Sequence, residues 1–157
     1  MLILLLIGEF MKELEFNIVN NNILEVADMT WWIDGINSIY ISKTNEANWL
    51  YPEWGIFIDT DCDTVQLYYK TADEIKITNV YKSLINAIMK VYPNFKMFFP
   101  NCFNLKNVKH IKSKKMALVG YEATLTFNEK EYKIVAGKKS IEKLIEEHNQ
   151  LQENIKL

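Results

Sequence analysis

A chain of 157 residues, 49% hydrophobic and 24% charged, suits one globular domain and excludes collagenous, disordered and disulfide-framework classes. The net charge is only −2, but residues 1–93 carry 6 Lys against 13 acids while residues 94–157 carry 12 Lys against 7. A basic face on an acidic body is one that phosphate can meet.

In chain order, the first signal is the apolar run Leu2–Ile7. It is far too short to span a bilayer and lacks the flanks of a secretory signal. Gly-Glu-Phe followed by Met11 reads as a non-native or alternative-start segment over residues 1–10, leaving 11–157 as the domain. Glu15–Val19 and Ile23–Met29 read as strands split by the turn-forming Asn20-Asn21-Asn22. Thr30–Ile33 is a further strand, ended by Asp34-Gly35. In it Trp31 and Trp32 face opposite ways, one to the core. Ser38–Ile41 is another short strand. Thr44–Trp54 reads as a loop holding Trp49, Tyr51 and Trp54, either as anchors for a protein partner or as a small core that pins the loop.

Gly55–Ile58 and Thr64–Tyr69 predict a hairpin around the solvated tip Asp59–Asp63. The tip imitates the start of a calcium loop, but Thr64 and Lys70 stand where such a loop needs Gly and Glu. Glu74–Ile77 reads as a last strand of this half. The hydrophobic period then changes from two to 3.6. Val80, Leu84, Ile85, Ile88 and Met89 define a helix over about 78–91, capped by Thr78 or Asn79 and stopped by Pro93. Strands are expected at Phe95–Phe99, Val108–Ile111, Met116–Val119, Glu122–Phe127 and Tyr132–Val135. A second helix follows over about 140–155, capped by Ser140, with Ile141, Leu144, Ile145, His148, Leu151 and Ile155 on one face. Strands flanked by two helices give an α+β fold with mostly antiparallel sheets. No internal repeat is visible.

Chemistry-bearing motifs are absent. No nucleophile elbow, phosphate-binding loop or dinucleotide fingerprint occurs. Cys62 and Cys102 form no CxxC pair, and His110 and His148 are too scattered for zinc. The expectation is therefore a non-enzymatic protein without cofactor or metal, in a reducing cytoplasm. Its 18 basic residues are all Lys. Lys is a point charge for phosphates and lacks the planar fork with which Arg reads guanine.

The stretch Tyr92–Leu144 carries the functional signal. The helix TNVYKSLINAIMKVYP runs into Asn94-Phe95. An apolar strand, Asn104, the strand NVKHIKS, the hairpin YEATLTFNEKEYKIV and the turn Gly137-Lys138-Lys139 follow. This order resembles the LytTR family of bacterial DNA-binding domains from about residue 78 to 146. The resemblance implies a β-rich fold that sets loops into successive major grooves of duplex DNA. On it, Lys96 keeps a basic position, and Phe98, Phe99 and Pro100 replace a polar His-Arg-Ser tip. Lys138 and Lys139 replace an Arg pair. The resemblance implies a stand-alone transcriptional regulator. Together with the net +5 of residues 94–157 (12 Lys against 7 acids), it makes Lys96, Phe98, Phe99, Lys114, Lys115, Lys138 and Lys139 the expected DNA-binding residues, with weak sequence discrimination. The alternative is a protein-binding module that kept the fold, lost base reading and antagonises a regulator or host factor through Trp49, Tyr51 and Trp54.

Overall fold

The computed structural model describes residues 14–44, 53–118 and 120–156. The expectations for residues 1–10, Trp49 and Tyr51 lie outside them. The architecture is α+β, with three antiparallel sheets and two long helices.

Strands β1 (Phe16–Val19), β2 (Ile23–Val26) and β3 (Met29–Trp32) form a three-stranded sheet in sequence order. Asn20 and Asn21 make its first turn with φ of 54° and 59°, in the left-handed region that Asn tolerates. The strand expected over Ile23–Met29 is broken after Val26, where Ala27 takes φ 52° and reverses the chain. Trp31 packs against the core while Trp32 is exposed, as strand alternation requires. The strand expected over Thr30–Ile33 stops one residue sooner. Ile33 is fully buried and heads a 3-10 turn, Ile33–Gly35.

Next come β4 (Ile36–Lys43), β5 (Trp54–Thr60) and β6 (Thr64–Thr71), then helix α1 (Glu74–Val91). Glu74–Ile77 is not a strand, and α1 starts earlier than Thr78. The Asp73 carboxylate accepts the Lys76 backbone N–H at 3.1 Å and caps the helix, with Glu74 at its positive end. Thr78, inside the helix, instead donates its hydroxyl back to the Glu74 carbonyl at 2.8 Å. Four residues of apolar alternation look like strand, but Ile77 belongs to the helical stripe of Tyr81, Leu84, Ile85 and Ile88. That stripe packs on the five-stranded sheet β6-β5-β4-β8-β7. Tyr81 is fully buried, and its hydroxyl donates to the Ile39 carbonyl at 2.8 Å. Burial pushes its phenol well above the usual tyrosine range.

Strands β7 (Phe95–Phe98) and β8 (Asn101–Asn104) extend that sheet from the β4 edge. A second 3-10 turn, Leu105–Asn107, leads to β9 (His110–Lys115), β10 (Tyr121–Thr126), β11 (Glu131–Ala136) and helix α2 (Lys138–Lys156). Three sequence expectations shift here. Val108 and Lys109 precede β9 rather than belonging to it. Met116–Leu118 is not a strand but part of the β9–β10 turn, with Val119 outside the described residues. The turn closes through Met116 N–H to the Gly120 carbonyl at 3.1 Å. Ser140 lies inside α2, which begins two residues sooner.

β8 divides two cores. Cys102 joins the first, with α1; Phe103 joins the second, with Leu125, Ile141 and Leu144. Period-two alternation in one buried strand thus feeds both. The order strand, strand, 3-10 turn, three antiparallel strands, helix occurs twice, as β2 to α1 and as β7 to α2. The 3-10 turns of the two copies meet. Lys106 pairs with Asp34 at 2.8 Å, 72 positions away and second in its own turn. Asn104, 1% exposed, donates to the Ile36 carbonyl at 3.0 Å and caps the second turn through the Lys106 N–H. Asn107 donates to the Asp34 carbonyl at 2.8 Å.

The aspartates around β5 do not form a wholly solvated tip. Asp59 is 3% exposed. Its carboxylate accepts from the hydroxyls of Thr64 and Tyr132 and from Lys130 Nζ at 3.0 Å. Asp61 accepts from Asn37 at 2.7 Å and Asn128 at 2.9 Å. The bonds from Asn128, Lys130 and Tyr132 tie the β5–β6 hairpin to the β10–β11 hairpin, and the one from Asn37 ties it to β4. Among the described residues no group of His, Cys, Asp and Glu is arranged to hold a metal ion.

Candidate nucleic-acid interface

Lys114 and Lys115 end β9. Lys115 stands opposite Tyr121 of β10, which stands opposite Ala136 of β11. Gly137 follows, and Lys138 and Lys139 open α2. Two lysine pairs therefore occupy one end of the three-stranded sheet. They stand two strand spacings apart, about 10 Å at the backbone. Lys114 keeps a loose contact with Glu122 at 3.7 Å, and Lys138 one with Glu142 at 3.8 Å; both lysines remain largely exposed.

Helix stability does not account for Lys138 and Lys139. The first turn of α2 carries no acid. Cations at the positive end of a helix are unfavourable by about 0.3–1 kcal/mol each, and Lys placed N-terminal to Glu at i,i+4 is the poorer order. An anionic partner reverses that sign.

The same sheet presents a further basic row. Lys112, Thr124 and Lys133 lie directly across from one another on β9, β10 and β11, and both lysines are exposed. Lys112 shares the strand face of Lys114 by alternation. Sequence reading missed Lys112 and Lys133, although the alternation in EYKIV and HIKSK marks their face.

The other expected positions do not join this group. Lys96, on β7, is half-buried and pairs with Glu147 of α2 at 3.3 Å. Glu147 lies nine residues beyond Lys138, about 13 Å along the helix. Phe98 packs against the second core. Phe99 turns the other way, with its ring edge-on to Tyr81 at 6.3 Å and Lys82 Nζ 5.9 Å from its centre. Trp54 opens β5 rather than a loop. It packs against the first core, with Lys43 Nζ 5.5 Å from its ring centre.

One exposed feature stands beside the lysines. Leu118, at the tip of the β9–β10 turn, is 95% exposed, and Ala117 beside it is exposed too. Comparison of the chain with known protein families, with characterised proteins and with solved structures finds no match. No helix among the described residues is long and apolar enough to cross a membrane.

Proposed function

We propose that the protein is a DNA-binding regulator of LytTR-like layout. It holds duplex DNA by its phosphates at the basic end of the β9–β10–β11 sheet. The observation that carries the reading is the meeting of Lys114 and Lys115 with Lys138 and Lys139 at that end. Two Lys pairs whose backbones stand about 10 Å apart match a polyanion better than a small ligand, and they neutralise phosphates without reading bases. Lys112 and Lys133 extend the footprint, while Lys96 is engaged by Glu147. A reducing cytoplasm suits the reading, since Cys62 and Cys102 are both free.

Fluorescence-anisotropy titration of a random duplex at two salt concentrations tests it. Wild-type affinity should fall steeply with salt as counterions are released. Changing Lys138 and Lys139 together to Glu should weaken binding to all sequences and reduce the log–log salt slope by roughly two. Absence of binding even at low salt would remove the reading. The protein-binding module then takes its place. Trp32, 65% exposed on an edge strand, supports that second reading.

A further inference from the structure

We infer that the β9–β10 hairpin enters the major groove and that Leu118 there contacts thymine methyl groups, so the chain favours duplexes that carry thymine at the contacted step. This rests on the DNA-binding reading above and names what that site selects.

Three observations lead to it. First, the tip is apolar where turn chemistry favours polar residues. Met116, Ala117 and Leu118 offer no side-chain hydrogen-bond donor and, apart from the weak thioether, no acceptor, and Leu118 is 95% exposed. Its exposure contributes nothing to the core. Second, the neck of the hairpin is held. Met116 N–H bonds to Gly120 O at 3.1 Å. Gly120 has φ +79°, and a Cβ there would stand 2.9 Å from the Ala136 carbonyl oxygen, so its backbone lies close against β11. The tip is thereby aimed by the sheet. Third, cations flank it: Lys114 and Lys115 behind it, Lys138 and Lys139 across β11.

The chemistry of the tip selects the groove. Only the turn after Lys115 projects beyond the three paired strands, and the thymine methyl that an apolar turn can meet lies in the major groove, which is about 12 Å wide. Lysine pairs about 10 Å apart at the backbone reach the phosphates of both walls. Inside the major groove the thymine C5-methyl is the apolar group on a base edge. A tip without hydrogen-bonding side chains has that group as its complement.

Titration of one thymine-rich duplex against the same duplex with every thymine replaced by uracil removes only the methyl groups. Wild-type protein should bind the uracil duplex about fourfold more weakly for each methyl contacted, the worth of one buried methyl-sized group. Leu118→Ser should bind both duplexes alike, with the salt slope of wild type. A thermal melt of the variant verifies folding, and the wild-type comparison needs no variant at all. Equal wild-type affinity for the two duplexes overturns the inference and leaves phosphate binding standing. No binding to either removes the DNA-binding reading and this inference together. Cosedimentation with phosphatidylserine-containing vesicles that depends on Leu118, with indifference to the methyl groups, also overturns it and assigns the tip to a lipid surface.

Discussion

Asp59 shows how much one side chain can bind together. Its carboxylate lies almost wholly out of water, and it is met by two hydroxyls and an ammonium from β6, β11 and the turn before β11. Removing one donor leaves a buried acceptor short of a partner. Tyr132→Phe keeps the ring against Phe103 and Phe127 but deletes the hydroxyl. The expected loss is about 2 kcal/mol, as for a hydrogen bond to a charged group, and a melting temperature lower by about 4–8 °C. An unchanged melt would mean that the contact contributes nothing. The two cysteines differ as sharply. Burial pushes the Cys102 thiol up to about 12, while Cys62 is exposed on the β5–β6 turn. Alkylation of native protein at neutral pH should therefore label Cys62 alone, and Cys102 only after denaturation. Labelling of Cys102 in the native state would contradict its burial. None of this was legible from DTDCDT, which reads as a hydrated tip. The partners Lys130 and Tyr132 arrive from some 70 residues away, and no local pattern announces them.

Elements with a long hydrophobic period were legible; their ends were not. The stripe of α1 and that of α2 stand out in sequence because five or more apolar positions repeat at helical spacing. The start of α1 was misread because Glu-Ile-Lys-Ile alternates as a strand does, while the deciding group, Asp73, lies outside the stripe. Asp73→Ala should lower stability by about 1 kcal/mol, read as an earlier denaturation midpoint with unchanged slope. No change would place the cap elsewhere. The β9–β10 connection was misread for the opposite reason. Met116–Val119 is apolar and β-favouring as sequence, and only the pairing of Lys115 with Tyr121 shows Met116–Leu118 to belong to a turn. Phe98 ends β7 against the second core, and Phe99, just beyond it, meets Tyr81 of α1 edge-on while staying 55% exposed.

At the scale of the whole molecule, two copies of one element order are fastened along a polar seam. Hydrogen bonds from Asn37 and Asn128, and the charge of Lys109, hold the Asp61 carboxyl below the usual carboxylate range. A carboxyl with a depressed folded value stabilises above its unfolded value, about 3.9, and loses that contribution as pH falls through the folded one. Melting temperature should therefore drop below about pH 4. Asp61→Asn should show a lower neutral melting temperature and a shallower acid slope. Parallel curves for the two proteins would assign the acid loss to other groups. The repeated order was invisible in sequence because the copies share hardly any residues; it lies in the sequence of strands, turn and helix.

The bonds across the seam join residues 66 to 73 positions apart. That spacing sets a clock on biosynthesis. At ordinary elongation rates, about 5–20 residues per second, the second copy trails the first by about 4–14 seconds. Until β8 arrives, β4 is an open edge of an apolar sheet, with Asn37 and Asp61 facing water. For those seconds the nascent chain offers a template for wrong pairing, which closes when Asn101–Asn104 emerges and docks.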